Sequence, residues 1–211
     1  MKRMIGVALL AVTGLALLSG CKKDPLQNMT EDESRIYITN RDSTAAFASY
    51  KTYSIVDSVS VIDNNRLTEK GTTSWDLQVL TAVRNAMQAR GYMRVANTQS
   101  PDLGINVSRL YNTTTNVVNF NDYYGGYGGY YDPYYWGYSG YGYNFPSYGI
   151  YQSTEAALSI DLLDLKNASA NRTIKGVWNG LIRGSGIFRS TAVQSQVQAL
   201  FDQSPYIKTV Q

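Results

Sequence analysis

Three stretches read as β-strands, two of them by alternating apolar and polar residues, and they decide the fold class. Leu103, Ile105 and Val107 alternate with Gly104, Asn106 and Ser108; Leu158, Ile160 and Leu162 alternate with Ser159 and Asp161; Ile174 to Ile182 carries Val177, Trp178 and Leu181. Successive strand side chains point to opposite faces, so the two alternating runs predict strands with one face buried and one toward solvent. The second and third runs are joined only by the turn-like Asn167-Ala168-Ser169-Ala170-Asn171. They read as a β-hairpin with a longer loop, and strands joined without a helical crossover favour antiparallel pairing.

Earlier segments extend the sheet. Ile36 to Thr39 predicts a short strand, Phe47 to Val56 a longer one rich in β-branched and aromatic residues, and Gly91 to Val95 another short one. Asp57 to Thr72 is polar and reads as loop, and Ser100-Pro101-Asp102 as a turn.

Two segments carry helical spacing instead. Thr73-Ser74-Trp75-Asp76 sets a hydroxyl cap before an acid three residues on, a variant of the capping box. Val79, Leu80, Val83, Ala86 and Met87 then recur on one stripe, and Gly91 supplies the glycine that ends helices, so the helix is expected over about residues 75–90. Ser190 is positioned to cap a last helix with the stripe Val193, Val197, Leu200 and Phe201, and Pro205 follows its end. The expectation is an α+β domain: an antiparallel sheet with two helices packed on one face.

One stretch has neither period. From Tyr123 to Tyr151 the chain holds 12 of its 18 tyrosines and eight glycines, with Trp136, Pro133 and Pro146. Glycine entropy argues against a fixed fold there. An insertion at about residues 112–152 of a compact domain is either a tolerated low-complexity loop or functional. In the functional reading it is an adhesive loop, with Tyr130, Tyr131, Tyr134, Tyr135 and Trp136 as its contact residues. Tyrosine gives large contact area at low entropy cost, which suits a glycan, a membrane interface or a partner protein.

The chain begins as a secreted protein does. Lys2 and Arg3 precede an apolar run from Met4 to Leu18, and Leu18-Ser19-Gly20-Cys21 closes it with small residues before a cysteine. A signal peptide has this basic start, apolar core and small-residue end, whereas a membrane-spanning helix needs about 20 apolar residues. A cysteine directly after the small residues is the lipobox arrangement, so residues 1–20 read as a lipoprotein signal peptide and Cys21 as the site of lipid attachment. One acyl chain binds a membrane only marginally, but the several chains of a mature lipoprotein, palmitate among them, make attachment lasting. Lys22 stands where an inner-membrane retention signal would place Asp, so the outer membrane is the expected destination, on either its periplasmic or its surface side. Residues 21–34 are polar and read as a lipidated N-terminus and flexible tether before a single domain over residues 35–206.

Composition removes several chemistries. The 19 Lys and Arg against 16 Asp and Glu give a formal charge of +3, but two of the positives lie in the signal, and the remainder are scattered. That is no footprint for nucleic acid. The chain has no histidine, and Cys21 is its single cysteine, which excludes Ser–His–Asp and Cys–His catalysis and the commonest zinc ligands. No metal or cofactor is expected. Gly184-Ser185-Gly186 lacks the spacing of a nucleophile elbow. Asp161 and Asp164 form a close carboxylate pair, but three residues apart on a strand they point to opposite faces, one toward solvent and one at the strand end. Trp75 and Trp178 read as packing residues. Asp42-Ser43-Thr44 and Asp57-Ser58-Val59 match a three-residue O-glycosylation pattern, which makes Ser43 and Ser58 candidate modification sites.

In order, these segments resemble the domain of unknown function 4136 family of lipoproteins. Phe47-Ala48-Ser49-Tyr50-Lys51-Thr52-Tyr53 is similar to its opening strand. Arg90-Gly91-Tyr92 followed by Pro101-Asp102-Leu103 is similar to its centre. Leu158-Ser159-Ile160-Asp161-Leu162-Leu163-Asp164 with Val177-Trp178-Asn179-Gly180 is similar to its closing hairpin, and Gln198-Ala199-Leu200-Phe201 before Pro205 to its last helix. The resemblance spans about residues 47–206. It implies location and fold, and supplies no catalytic residues. The expected function is a non-enzymatic, membrane-anchored envelope lipoprotein with an interaction or structural role, its partners the membrane and an envelope glycan or protein. The competing readings are a carboxylate-dependent hydrolase of cell-wall or glycan substrates and an accessory subunit of an envelope transport or assembly system.

Overall fold

The computed structural model describes residues 29–64, 66–111, 133–145 and 156–209. Among these, nine strands form one sheet. They are β1 (Ile36–Arg41), β2 (Thr52–Ile55), β3 (Val59–Asp63), β4 (Arg66–Gly71), β5 (Met93–Arg94), β6 (Leu103–Tyr111), β7 (Gly142–Asn144), β8 (Ala157–Asp164) and β9 (Thr173–Arg183). Helix α1 (Ser74–Ala89) precedes β5, a single turn α2 (Ala168–Asn171) joins β8 to β9, and α3 (Val193–Asp202) follows. The strand order is β1-β9-β8-β6-β2-β5, with β3 continuing beside β6 after β2, β4 beyond β3, and β7 alongside β9.

The sheet is mixed, where a purely antiparallel one was expected. β1–β9, β8–β9, β6–β8 and β3–β4 are antiparallel. β2 and β3 both run parallel to β6, β2 parallel to β5, and β7 parallel to β9. The reason lies in connectivity: α1 intervenes between β3 and β6, and a helical crossover returns the chain in the same direction. The expected hairpin of β8 and β9 is present, with Val177 as an extra residue where Leu162 pairs with Trp178 but Leu163 with Gly176.

Two local expectations are corrected. Residues 57–72, read as loop, contain the hairpin β3–β4, whose turn passes through Asn64 at φ 47°, a conformation asparagine tolerates. Its outer strand is polar because it lies at the sheet's edge. The strand expected from Phe47 starts with a 3-10 turn, Phe47–Ser49, and becomes strand only at Thr52.

Helix α1 forms where its signals lie. Thr73 accepts from the Asp76 backbone, and Asp76 Oδ2 accepts from the Thr73 backbone at 2.8 Å, completing the capping box. At the other end Gly91 has φ 86°, its N–H donates to Gln88 O at 2.9 Å, and Tyr92 N–H donates to Met87 O at 3.2 Å. This is the Schellman arrangement, which only glycine enters without strain. Ser190 does not cap α3; it opens a 3-10 turn, and Ala192 precedes the helix without a side-chain cap.

The apolar stripes of α1 and α3 share one core with one face of the sheet: Val79, Leu80, Val83, Val197 and Leu200 meet Tyr53, Leu103, Ile105, Leu158, Ile160 and Trp178. A second cluster gathers on the other face, with Leu110, Trp136, Phe145, Leu163, Ile174 and Leu181. Both faces of β6 and β8 are therefore covered, where one solvent-facing side was expected. The N-terminal approach is docked as well. Residues 30–34 form a turn in which Ser34 N–H donates to Thr30 O at 3.0 Å, Glu31 pairs with Arg189 at 2.5 Å, and Arg35 donates to Ser185 O and Gly186 O.

Candidate functional site

On the sheet face opposite the helices, the register aligns polar residues from four strands in one row. Asn40 of β1 lies opposite Asn179 of β9, Asn179 opposite Asp161 of β8, and Asp161 opposite Asn106 of β6. A second row joins Ser159 of β8 to Ser108 of β6 and Ser60 of β3. Asn106, Asp161, Asn179, Ser108 and Ser159 are all buried, Asn106 and Asp161 completely.

Most of this ladder is internally bonded. Asn179 Nδ2 donates to Asp161 Oδ1 at 2.7 Å and to Ser159 Oγ at 2.9 Å, and Ser159 Oγ lies 3.5 Å from Asp161 Oδ2. Asn106 is the exception: neither Nδ2 nor Oδ1 has a hydrogen-bond partner, although the residue has no exposed surface. Buried polar groups are nearly always paired, and each orphan costs about 1–3 kcal/mol. The ladder escaped the sequence reading because alternation placed these residues toward solvent. The available signal was their chemistry: Gly104, Asn106 and Ser108 are short and uncharged, whereas a solvated strand face usually carries long charged side chains.

Asp161 and Asp164 do lie on opposite faces, as their spacing predicts. Asp161, expected at solvent or at the strand end, is instead enclosed in the ladder. Asp164 caps the turn after β8, accepting from Asn167 N–H at 3.0 Å and Asn167 Nδ2 at 2.7 Å. The phenol of Tyr50 is pushed far above its ordinary range, first by burial and then by the neighbouring Asp164 carboxylate. The two acids do not converge on a common point.

The part of the insertion over residues 133–145 is built into the domain, where an unfixed loop was expected. Pro133–Trp136 forms a 3-10 turn, Gly137 and Gly140 take φ of 83° and 77°, and β7 pairs with the start of β9. Its rings fill two glycine sockets. The Trp136 ring lies 3.2 Å from where a Cβ on Gly104 would stand, and a Cβ on Gly176 would collide with Phe145. Tyr138 donates to Leu165 O at 2.8 Å, and Asn97 Nδ2 to Tyr135 O at 3.0 Å.

The five aromatic contact candidates therefore separate. Trp136 is buried, Tyr135 is half-buried, and Tyr134 is 72% exposed. Burial, then the nearby Asp57 charge, pushes the Tyr135 hydroxyl up. Tyr130, Tyr131 and Cys21 lie outside the described residues, as does the signal peptide. Ser43 is exposed in a turn where Asp42 Oδ1 accepts from Thr44 N–H at 2.8 Å; Ser58 is half-buried and donates to Asp57 Oδ1 at 3.2 Å. Trp75 packs edge-on against Phe188 at 4.9 Å, and Trp178 is wholly buried. Among the described residues, no three of His, Cys, Asp and Glu gather as a metal site would need.

A family model described as a domain of unknown function, DUF4136, matches residues 38–206. The crystal structure of a DUF4136 family protein from Bacteroides thetaiotaomicron VPI-5482 is similar at 27% identity and a TM-score of 0.67, covering 83% of this chain and 98% of that one. Looser similarity links the chain to the PelC dodecamer from Paraburkholderia phytofirmans, at 12% identity and TM-score 0.41 over 84% of this chain and 99% of that one. A PDZ domain protein from Parabacteroides distasonis ATCC 8503 gives 14% identity and TM-score 0.44 over 85% of this chain and 41% of that one. No curated protein matches the chain. With the family's pattern running through nearly the whole sheet and both long helices, the chain belongs to the DUF4136 family.

Proposed function

We propose that this protein is a non-enzymatic lipoprotein of the bacterial cell envelope, held to the outer membrane through acylated Cys21, whose domain serves as an interaction module. The observation that carries the reading is the shortness of the link. The lipobox ends at Cys21, and the turn from Thr30 is already docked on the Gly184-Ser185-Gly186 bend. A stretch of about eight residues, as lies between Cys21 and Thr30, spans at most roughly 28 Å, which suits a domain working beside a bilayer.

The hydrolase alternative asks for two carboxylates facing one substrate across about 5–9.5 Å. Asp161 and Asp164 face opposite sides of the sheet, each committed to an asparagine. A binding or structural role fits that arrangement better.

The test is fractionation of cells producing the wild-type chain and Cys21→Ser, with intact mass of the purified protein. The expected result is an acylated wild type in the outer-membrane fraction and an unacylated, membrane-free variant. An unacylated wild type that leaves the membrane with salt would overturn the reading. Protease added to intact cells, then to cells with opened outer membranes, assigns the side: cleavage at the exposed Tyr134 before opening means surface display, and cleavage only afterwards means a periplasmic position.

A further inference from the structure

We propose that the polar ladder around Asn106 is a binding site for a neutral, hydroxyl-rich ligand, a sugar unit of a glycan. The proposal deepens the interaction role above by naming a site and a ligand class, and it stands whether or not Cys21 is acylated.

An unpaired buried amide sits inside the polar ladder; Gln196 of α3 is also unpaired, but its neighbours in the core are apolar. Asn106 offers two N–H donors and a carbonyl acceptor, none of them used, at the centre of the sheet. An asparagine kept only for packing would be more stable as an apolar residue of the same size, because an orphaned buried amide costs free energy. Persistence of such a group fits a site that is completed by something else.

The surroundings say what that something is. The row neighbour Asp161 already supplies acceptor oxygens, one of them used by Asn179, so a phosphate or carboxylate, which brings only further acceptors, would pair poorly there. A hydrocarbon would leave the amide as unpaired as before. A sugar hydroxyl both donates and accepts, as does an acetamido group, and either satisfies the Asn106 amide beside the hydroxyls of Ser108 and Ser159. Trp136 stands over Gly104, two residues before Asn106 on the same strand face, and so brings an aromatic ring to this face of β6. Polar groups converging beside an aromatic wall are the usual make-up of a pocket for a small polar ligand.

Asn106 is enclosed, so binding requires its cover to lift. The described segment on this face, residues 133–145, is an insertion joined to the sheet by the short strand β7, side-chain hydrogen bonds and two rings seated in glycine sockets. Such segments open at lower free energy than the core strands.

The experiment uses the full mature chain in detergent, with chitobiose, cellobiose and inorganic phosphate as probes and thermal melting as the readout, for wild type and Asn106→Leu. The expected result is that one or both disaccharides raise the wild-type melting temperature and phosphate does not. Asn106→Leu should melt at or above the ligand-free wild type, and its apparent affinity for the disaccharide should fall about tenfold or more, the loss of one well-made hydrogen bond or more. Failure of both disaccharides to shift the wild type overturns the proposal. So does an equal shift in the variant, which would put the sugar elsewhere. A marked fall in the variant's own melting temperature, or failure to fold, also overturns it: the amide would then be satisfied by ordered water in the ligand-free protein. None of these outcomes touches Cys21, so the anchoring reading stands or falls separately.

Discussion

Asp76, inside the capping box of α1, also holds Arg109 of β6: Nε lies 3.1 Å from Oδ1, and the carboxylate has no exposed surface. One acid thus satisfies the start of the helix and fastens it to the central strand. Gly71 makes the approach possible, since a Cβ there would come within 2.6 Å of Asp76 Oδ2 and 2.8 Å of the Arg109 guanidinium. Removing one member of a buried pair leaves the other charge uncompensated, at a cost of about 3–5 kcal/mol. Asp76→Ala should therefore lower the melting temperature by roughly 6–20 °C for a domain of this size. In a double-mutant cycle with Arg109→Met, the second change should cost much less in the Asp76→Ala background. Strict additivity in the cycle would show that the pair is not coupled.

Phe145 and Gly176 make a second such relationship, between the insertion and β9. Gly176→Ala should expel the Phe145 ring and loosen residues 133–145 while the helix-side core persists. Phe145→Ala alone should cost about 3–5 kcal/mol if the cavity stays open. Because both changes act through the same socket, the double variant should be little worse than Phe145→Ala. Hydrogen exchange at the β7 amides reads the outcome: protection unchanged in Gly176→Ala would mean that the ring does not occupy this socket.

These two relationships show where sequence reasoning reached and where it stopped. Local signals were sufficient for α1, because Thr73, Asp76 and Gly91 act within a few residues of their partners. Alternation was sufficient for β6 and β8, since a period of two survives whatever covers the strand, and β9 was legible from its β-branched and aromatic residues after a turn. Alternation could not say that both faces are covered: that depends on Trp136 and Phe145 finding Gly104 and Gly176, which are distant in sequence. Composition likewise cannot separate an inserted ring, Trp136, from an exposed one, Tyr134. Parallel pairing of β2 and β3 with β6 was within reach, because α1 lies between them. The ladder at Asn106 was hidden because register, which sets Asn40, Asn179, Asp161 and Asn106 in one row, is a property of four strands together.

Trp178 Nε1 donates to Ser204 Oγ at 2.9 Å, deep between β9 and the turn after α3, and Ser204 Oγ lies 3.0 Å from Tyr206 Oη. Ser204→Ala would leave a buried indole N–H without its partner, which costs about 1–3 kcal/mol. The expected loss is roughly 2–12 °C in melting temperature, with little change from Tyr206→Phe, whose hydroxyl reaches the network only through Ser204. A Ser204→Ala variant as stable as wild type would mean that water replaces the hydroxyl.

Asp42 gives the fold an acid-sensitive contact. It is buried after β1, ion-paired with Lys175 of β9, and accepts from the Thr44 backbone and hydroxyl at 2.8 and 2.7 Å. Burial pushes its carboxyl up, but the hydrogen bonds from Lys175 and Thr44 together outweigh burial and hold it below the usual range. A carboxyl lowered in the folded state contributes stability that is fully present above its unfolded value, about 3.9, and is lost as pH falls through the folded value. Asp42→Asn should therefore melt below wild type at neutral pH, and the two melting curves should converge as the pH drops past about 3.9 toward the folded value. The measurement is the melting temperature of both proteins across that range. A gap that stays constant down to about pH 2 would assign the effect of Asp42 to packing and hydrogen bonding alone.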